Sequence, residues 1–126
     1  MNDSNELGRN PFAERFEDLR IWQEARALVG EVYRSFARCS DLAFRDQIQR
    51  AALSVMNNIA EGFERRTRKD FAHFLDLAKG SSGEVRSMTY AAEDLGYLTD
   101  AHACGLREVC FVLAGGIAAL ANRLRD

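Results

Sequence analysis

The segment from Phe71 to Leu95 reads FAHFLDLAKGSSGEVRSMTYAAEDL, and its apolar residues recur every three or four positions. That spacing predicts a long helix with one buried face. The predicted inward residues are Phe71, Phe74, Leu75, Ala78, Ser82, Val85, Met88, Thr89, Ala92 and Leu95. Thr67 precedes the segment and Asp70 follows three residues later, a pair typical of a helix N-terminal cap. Gly96 fits the position just past the helix, where a left-handed backbone favours glycine.

Two further helices precede this segment. The first is predicted over residues 16–38, with Tyr33 on its apolar face. The second follows an N-terminal cap at Ser40 or Asp41, because a short polar side chain there accepts hydrogen bonds from free backbone N–H groups. Gly62 is predicted to end or bend this second helix, since glycine is a poor helix former.

A fourth helix follows the cap and first-turn charge of Thr99 and Asp100, with Val109 among its predicted buried residues. Short connections between the four helices favour antiparallel neighbours. The sequence therefore predicts an all-α fold, an antiparallel up-down-up-down four-helix bundle, over residues 16–126. Residues 1–15 carry no apolar pattern and are predicted to form a loose leader.

The charge balance limits the kinds of partner. The chain has 17 Lys and Arg against 19 Asp and Glu, a formal net charge of −2, so it lacks the positive field of sequence-independent nucleic-acid binders. Its first residues lack the basic and apolar regions of a signal peptide, and no window approaches the roughly 18 uncharged apolar residues of a membrane span. The three cysteines are odd in number and lie within helical patterns, so we expect them to be reduced. We expect a cytoplasmic protein that contacts no membrane.

The sequence contains no complete catalytic or metal-binding pattern. Its one near match to the Glu-x-x-His motif of di-iron bundles is Asp70-Phe71-Ala72-His73, without a second copy. His102 and Cys104 give no tetrahedral ligand set, and no nucleophile elbow, phosphate-binding loop or dinucleotide glycine pattern is present. We therefore expect no catalytic residue, no metal, no cofactor and no small-molecule substrate, so the protein is predicted not to be an enzyme.

Polar residues cluster on the second helix beside its apolar stripe: Arg50, Ser54, Asn57, Asn58 and Glu61. We predict that they form a hydrogen-bonded network with Ser81, Ser82 or Glu84 of the third helix, because a buried polar group without a partner costs roughly 1–3 kcal/mol. A ligand pocket is the alternative. The run Gly80-Ser81-Ser82-Gly83 has little side-chain bulk, and is predicted to let two helices approach closely.

Four cations occupy the turn between the second and third helices: Arg65, Arg66, Arg68 and Lys69. In a single chain such a run is a solvated corner, partly neutralised by Glu61, Glu64 and Asp70. In a cyclic oligomer the cluster repeats around one rim, where it can bind phosphates. This turn is therefore the candidate contact with nucleic acid or another partner.

Apolar residues off the predicted core faces indicate self-association. They lie on three different helices and are Leu53, Met56, Tyr90 and Phe111. Exposed apolar surface on several helices is typical of a subunit interface. We predict a homo-oligomer in which these residues contact another copy.

Several stretches resemble one family of bacterial four-helix bundles. They are residues 18–25 (DLRIWQEA), residues 46–54 (DQIQRAALS), residues 57–62 (NNIAEG) and the pattern Phe71-x-x-Phe74-Leu75-x-x-Ala78-x-Gly80-Ser81 with Glu84. In this order, within residues 16–98, they resemble the family named for proteins encoded in 23S rRNA intervening sequences. The resemblance is most specific in Asn-Ile-Ala-Glu-Gly at residues 58–62, whereas the fourth helix matches in pattern alone.

The resemblance implies an antiparallel four-helix bundle that assembles into a ring-shaped homopentamer without enzymatic activity. A related branch is the accessory variability determinant of diversity-generating retroelements, a basic ring that binds nucleic acid and a reverse transcriptase. A charge of −2 per chain sums to about −10 over five chains, unlike a basic ring. We therefore expect a ring-forming interaction or scaffold protein that recruits a protein or RNA partner. The alternative is a nucleic-acid-binding accessory protein that uses the basic turn.

Overall fold

The computed structural model describes residues 12–126. Within this range the chain forms four α-helices and one short 3-10 helix, without any strand. The 3-10 helix is Phe16–Asp18. The α-helices are α1 (Arg20–Ser35), α2 (Leu42–Phe63), α3 (Arg68–Asp94) and α4 (Asp100–Arg125). The prediction of an all-α protein with four helices is confirmed.

The predicted caps account for most of the helix boundaries. Asp41 begins α2, Thr67 begins α3 and Thr99 begins α4, as predicted. In each case the side-chain oxygen accepts a hydrogen bond from the backbone N–H three residues later, at 3.0 to 3.1 Å. Gly96 lies just past α3 with φ of +79°, a left-handed conformation in which a Cβ is disfavoured.

The first helix is shorter than predicted. Leu19 has extended backbone, with φ of −73° and ψ of 128°, and it separates the 3-10 helix from α1. The helix ends at Ser35, so the residues up to 38 form a turn instead of a further helical turn. The expected loose leader falls mostly on residues 1–11, outside the described range, but Phe12 and Ala13 pack against the core.

Three residues predicted to be buried are exposed: Tyr33, Leu95 and Val109. Leu95 directly follows the last residue of α3 and keeps helical backbone, with its N–H bonded to the carbonyl oxygen of Ala91, but its position around the helix axis is that of Leu77, which is also exposed. Tyr33 and Val109 lie at the margins of the buried faces of α1 and α4. At about 100° per residue, a step of three or four drifts gradually around the helix, so marginal positions turn toward solvent.

Paired contacts give the orientation of the helices. As residue numbers rise along α3, those of the α4 partners fall: Asp76 contacts Arg125, Ser82 contacts Cys110 and Glu93 contacts Arg107. The same inversion holds between α2 and α3, where Gln47 contacts Glu84 and Ser54 contacts Ser81, and between α1 and α4, where Ile21 lies beside Gly116 and Ser35 contacts His102. Neighbouring helices therefore run antiparallel, in the predicted up-down-up-down order.

The core fills the space between the four helices. Its largest fully buried side chains include Leu28, Phe36, Ile48, Ile59, Leu75, Leu106, Leu113 and Ile117. Each such side chain contributes about 1.5–3 kcal/mol of burial free energy. The helices contact one another around a square, so that α2 and α4 lie on one diagonal. The α3–α4 contact is the most extensive, and the sparser α1–α4 contact leaves an open groove of about 420 Å³.

Candidate interaction surfaces

A compact polar contact joins α2 to α3. The hydroxyls of Ser54 and Ser81 are 2.8 Å apart, and the Asn58 amide donates to both the carbonyl oxygen and Oγ of Ser54, each at 2.9 Å. Gln47 donates to a Glu84 carboxylate oxygen at 2.8 Å, nearer the start of α2. The structure thus brings together Ser54, Asn58 and Ser81, and pairs Glu84 with a glutamine that was not among the predicted network residues.

Arg50, Asn57 and Glu61 lie outside this predicted network. All three are exposed, and within residues 12–126 none has a hydrogen bond or ion pair. Successive residues of a helix are rotated by about 100° around its axis. This rotation places these three residues on the outward face of α2 and places Ser54 and Asn58 on the face toward α3. The predicted network is therefore smaller in this protein. Gln47 escaped prediction because it precedes the polar cluster along the chain.

The close approach of α2 and α3 occurs at Gly62. A Cβ there would lie 2.7 Å from Cβ of Phe74 and 3.0 Å from the Phe71 ring, so only glycine fits without displacement. In the 80–83 run the contacts with neighbouring helices come from the two serines and not from the glycines, because a Cβ at Gly80 or Gly83 would meet nothing within 4 Å. In that run Ser82 is buried and donates to a carbonyl oxygen of α4.

The basic turn divides into two engaged and two free cations. Arg65 lies over the Phe74 ring, 4.6 Å from its centre. Arg68 donates to the carbonyl oxygens of Leu124 and Arg123, at 3.3 and 3.1 Å, and thereby satisfies free acceptors at the end of α4. Arg66 and Lys69 are exposed and have no partner among the described residues.

The last turn of α4 brings further cations to the same end of the bundle. Arg125 donates to both carboxylate oxygens of Asp76, and this bond holds the pKa of Asp76 below its usual value. Arg123 lies over the Phe12 ring, 4.5 Å from its centre. These contacts could not be predicted from sequence spacing because they join residues roughly fifty or more positions apart.

The side of the bundle formed by α3 and α4 carries two stacked pairs. Arg107 lies 4.0 Å from the centre of the Tyr90 ring, and Arg86 lies 5.5 Å from that of Phe111. Arg107 also donates to Glu93 at 3.0 Å. Tyr90 is 53% exposed and Phe111 is 61% exposed, so both predicted interface residues present their rings to solvent. Beside Phe111 lies an open groove of about 390 Å³, lined by Asp76, Lys79, Gly80, Ser82, Gly83, Arg86, Cys110 and Ala114.

The other two predicted interface residues, Leu53 and Met56, lie at the side formed by α1 and α2. Both are half-buried, and Met56 packs partly against the core rather than standing free. Trp22, Val29 and Phe36 follow one another at intervals of seven residues along α1 and just past its end. The Phe36 ring contacts that of Phe44 in α2, so this row of residues faces α2. Residues seven apart share a helix face. The side therefore combines half-buried apolar residues from both helices.

Helix α4 is unusually apolar for its degree of burial. Between residues 101 and 122 it contains two charged residues, Arg107 and Glu108. Among the described residues it is the one helix long and apolar enough, by length and composition, to cross a membrane, yet 28% of that window is buried. The expectation that no window approaches a membrane span is corrected by this helix. Much of its outward face meets solvent in the isolated protomer.

Potentially reactive side chains are dispersed. Ser35 and His102 are hydrogen-bonded at 2.8 Å and join the end of α1 to the start of α4. Burial raises the pKa of the Cys110 thiol to about 11, whereas Cys104 is exposed on the outward face of α4. Within residues 12–126 no three His, Cys, Asp or Glu side chains come together as metal ligands do.

Comparison with known proteins places the chain in a family. No curated protein matches it. The profile of the 23S rRNA-intervening sequence protein family matches residues 17–116, from the 3-10 helix through most of α4. This range includes the Ser54–Ser81 contact, Gly62 and the basic turn. The chain therefore belongs to the 23S rRNA-intervening sequence protein family.

Proposed function

We propose that the protein is a non-enzymatic interaction or scaffold protein that assembles in the cytoplasm as a ring of five identical chains. The observation that carries this proposal is the exposure of Phe111 and Tyr90 beside a helix that is mostly apolar and largely unburied. Apolar surface of this extent in contact with water is unfavourable, and packing against another copy removes it from solvent. The chain belongs to the 23S rRNA-intervening sequence protein family, and the number five is what the resemblance to that family implies.

In a ring, the basic turn could bind a partner that the turn of a single chain could not. Arg66 and Lys69 have no partner among the described residues, and cyclic symmetry would repeat them around one rim. Clustered charges of one sign raise the local potential and attract a partner of opposite sign. The rim would then be the surface that recruits a partner, while the apolar sides hold the ring together.

Light scattering across a dilution series tests the assembly. A chain of 14.2 kDa that assembles as proposed gives a mass several times larger at micromolar concentration. Dilution then lowers the mass through the dissociation constant of the contact. A mass of 14.2 kDa throughout the micromolar range contradicts the proposal.

Nucleic-acid binding at the basic turn is the second candidate function. The observation in its favour is the pair of free cations, Arg66 and Lys69, at the same end as Arg123. Binding that rests on phosphate contacts weakens steeply with salt. Arg66→Ala combined with Lys69→Ala should therefore abolish a mobility shift with single-stranded RNA at low salt.

A charge-matched control removes two cations at the opposite end of the bundle, Arg34→Ala with Arg38→Ala. This control should keep the shift, because the end of α1 lies beside the start of α4, whereas the basic turn lies beside the end of α4. If the wild type gives no shift at about 50 mM salt, where phosphate-driven binding is strong, nucleic-acid binding is excluded as the role of this turn.

A further inference from the structure

We infer that the ring closes through two different sides of the bundle, the α3–α4 side of one copy packing on the α1–α2 side of the next. This inference rests on the proposed function and assigns the surfaces that perform it. The α3–α4 side is defined by Arg86, Tyr90, Arg107 and Phe111. The α1–α2 side is defined by Trp22, Val29, Tyr33, Leu53 and Met56.

The arrangement of the helices makes these two sides opposite. Each helix packs against its two neighbours around the square, so the α1–α2 pair and the α3–α4 pair form opposing walls of the bundle. A contact between two different surfaces of the same chain is heterologous, and it builds a ring when the rotation closes. A contact of the α3–α4 side with itself would instead stop at a dimer.

The α3–α4 side has the composition of an interface centre. Its rings are exposed, but each is already held by an arginine of the facing helix, Arg107 on Tyr90 and Arg86 on Phe111. Aromatic and arginine side chains are the residues most enriched at energetically important interface positions. Because the rings are immobilised in the protomer, docking costs little additional side-chain entropy.

The α1–α2 side offers the same residue types. Arg26 lies over the Trp22 ring, 5.9 Å from its centre, and the Tyr33 ring, further along α1, is exposed. Leu53 and Met56 continue the apolar surface on α2. The α3–α4 side is concave beside Phe111, where Gly80 and Gly83 line the open groove, so it has room for a large side chain of the next copy.

The available area is close to what a stable contact needs. Helix α2 has 22 residues and α1 has 16, so at 1.5 Å per residue they are about 33 Å and about 24 Å long. Each helix is about 10 Å across, which gives about 570 Å² for the side. Specific interfaces bury roughly 600–1,000 Å² per partner.

One substitution on each side tests the assignment in the full chain. Phe111→Glu places a charge in the α3–α4 side, and Leu53→Glu does the same in the α1–α2 side. Sedimentation velocity should show that each variant falls to the monomer, with a helical circular dichroism spectrum unchanged. Leu77→Glu is the matched control, because Leu77 is 44% exposed and lies seven residues before Glu84, on the face toward α2. It should assemble like the wild type.

Mixing the two variants gives the more specific result. The Phe111→Glu chain keeps an intact α1–α2 side and the Leu53→Glu chain an intact α3–α4 side, so one productive contact remains between them. An equimolar mixture should form a 1:1 complex of about 28 kDa, two chains of 14.2 kDa, and nothing larger. If either variant fails to fold, Arg86→Glu replaces Phe111→Glu and Tyr33→Glu replaces Leu53→Glu.

Several outcomes overturn the inference. A wild type that assembles while both variants assemble equally well refutes the surfaces and leaves the proposed function standing. Loss of assembly with Phe111→Glu alone shows that the α3–α4 side meets its own copy. Sedimentation of the wild type with phosphatidylcholine vesicles, abolished by Phe111→Glu without a change in mass, assigns the face to lipid. A monomeric wild type refutes the proposed function itself, and the inference with it.

Discussion

The guanidinium of Arg107 lies 4.0 Å from the centre of the Tyr90 ring and so ties α4 to α3 on the side where Tyr90 and Phe111 are exposed. The same guanidinium donates to Glu93 at 3.0 Å. Arg107 is one of the two charges that interrupt the apolar stretch of α4. Its two partners show why α4 tolerates a charge at this position, and why the Tyr90 ring is held in place although it is exposed.

Replacing Arg107 should weaken this link. Arg107→Gln removes a partly buried ion pair and a cation–π contact, which together should lower the free energy of unfolding by about 1–2 kcal/mol. Urea unfolding followed by circular dichroism measures the loss. Glu93→Gln, alone and combined with Arg107→Gln, completes a double-mutant cycle. The double variant should lose less unfolding free energy than the sum of the losses in the two single variants. Strict additivity would show that the pair contributes nothing.

Gly62 and Gly105 should respond oppositely to the same substitution. Gly62→Ala forces a Cβ against Phe74 at 2.7 Å, so it should destabilise the protein by about 1–3 kcal/mol through overpacking. Gly105 lies within α4, where an added Cβ would meet nothing within 4 Å. Gly105→Ala should raise stability by up to about 1 kcal/mol through helix propensity. Equal thermal shifts in the two variants would contradict the packing described at Gly62.

The polar contact between α2 and α3 predicts a difference between two neighbouring residues. Asn58→Leu removes the amide that donates to both oxygens of Ser54, and should cost about 1–2 kcal/mol of unfolding free energy. Glu61→Leu should leave protomer stability within about 0.5 kcal/mol, because Glu61 is exposed and surface changes away from such contacts are small. Chemical denaturation compares the two, and a Glu61 variant as unstable as the Asn58 variant would refute this assignment.

The Asp41–Tyr97 hydrogen bond makes stability depend on pH at both extremes. The Tyr97 hydroxyl donates to Asp41 at 2.6 Å. This bond, followed by the N–H of Phe44, lowers the pKa of Asp41, and the same bond raises the pKa of Tyr97 to about 12. Because the pKa of Asp41 is lower in the folded than in the unfolded protein, the hydrogen bond stabilises the fold above the unfolded pKa of about 3.9. This stabilisation is lost as the pH falls through the folded pKa.

The raised phenol pKa gives stability that is present below about pH 10 and is lost as the pH rises toward 12. Tyr97→Phe should therefore destabilise the protein most between about pH 5 and 9, with a smaller difference from the wild type on either side. Thermal unfolding from about pH 3 to about pH 11 measures the difference and shows whether it shrinks at both extremes. Tyr33→Phe is the control, since Tyr33 has no hydrogen bond within residues 12–126, and it should show no such profile.

The elements that follow from local chemistry were predictable. The caps at Asp41, Thr67 and Thr99 and the left-handed Gly96 depend on residues within a few positions of one another, and each lies where the sequence indicates. The apolar spacing likewise identified most of the core. The prediction for Leu95 is wrong because successive steps of three residues drift around the helix axis until the side chain faces solvent.

The sequence predicted which residues make up the candidate surfaces, but not which other residues they contact. The four cations of the basic turn are visible in the sequence, whereas the capping of α4 by Arg68 depends on a residue 56 positions away. The polar cluster on α2 was visible too, but membership of the network depends on how the helix is rotated against α3, which the sequence of α2 does not reveal. For the same reason Gly62, rather than Gly80, marks the close approach of two helices.

Native mass spectrometry of the full chain at micromolar concentration tests the central claim most directly, because it counts copies in a single complex. We predict a dominant species of five chains of 14.2 kDa, about 71 kDa, which breaks into monomers when Phe111→Glu is introduced. A dominant monomer of 14.2 kDa, or a dimer that persists in the variant, would contradict this claim.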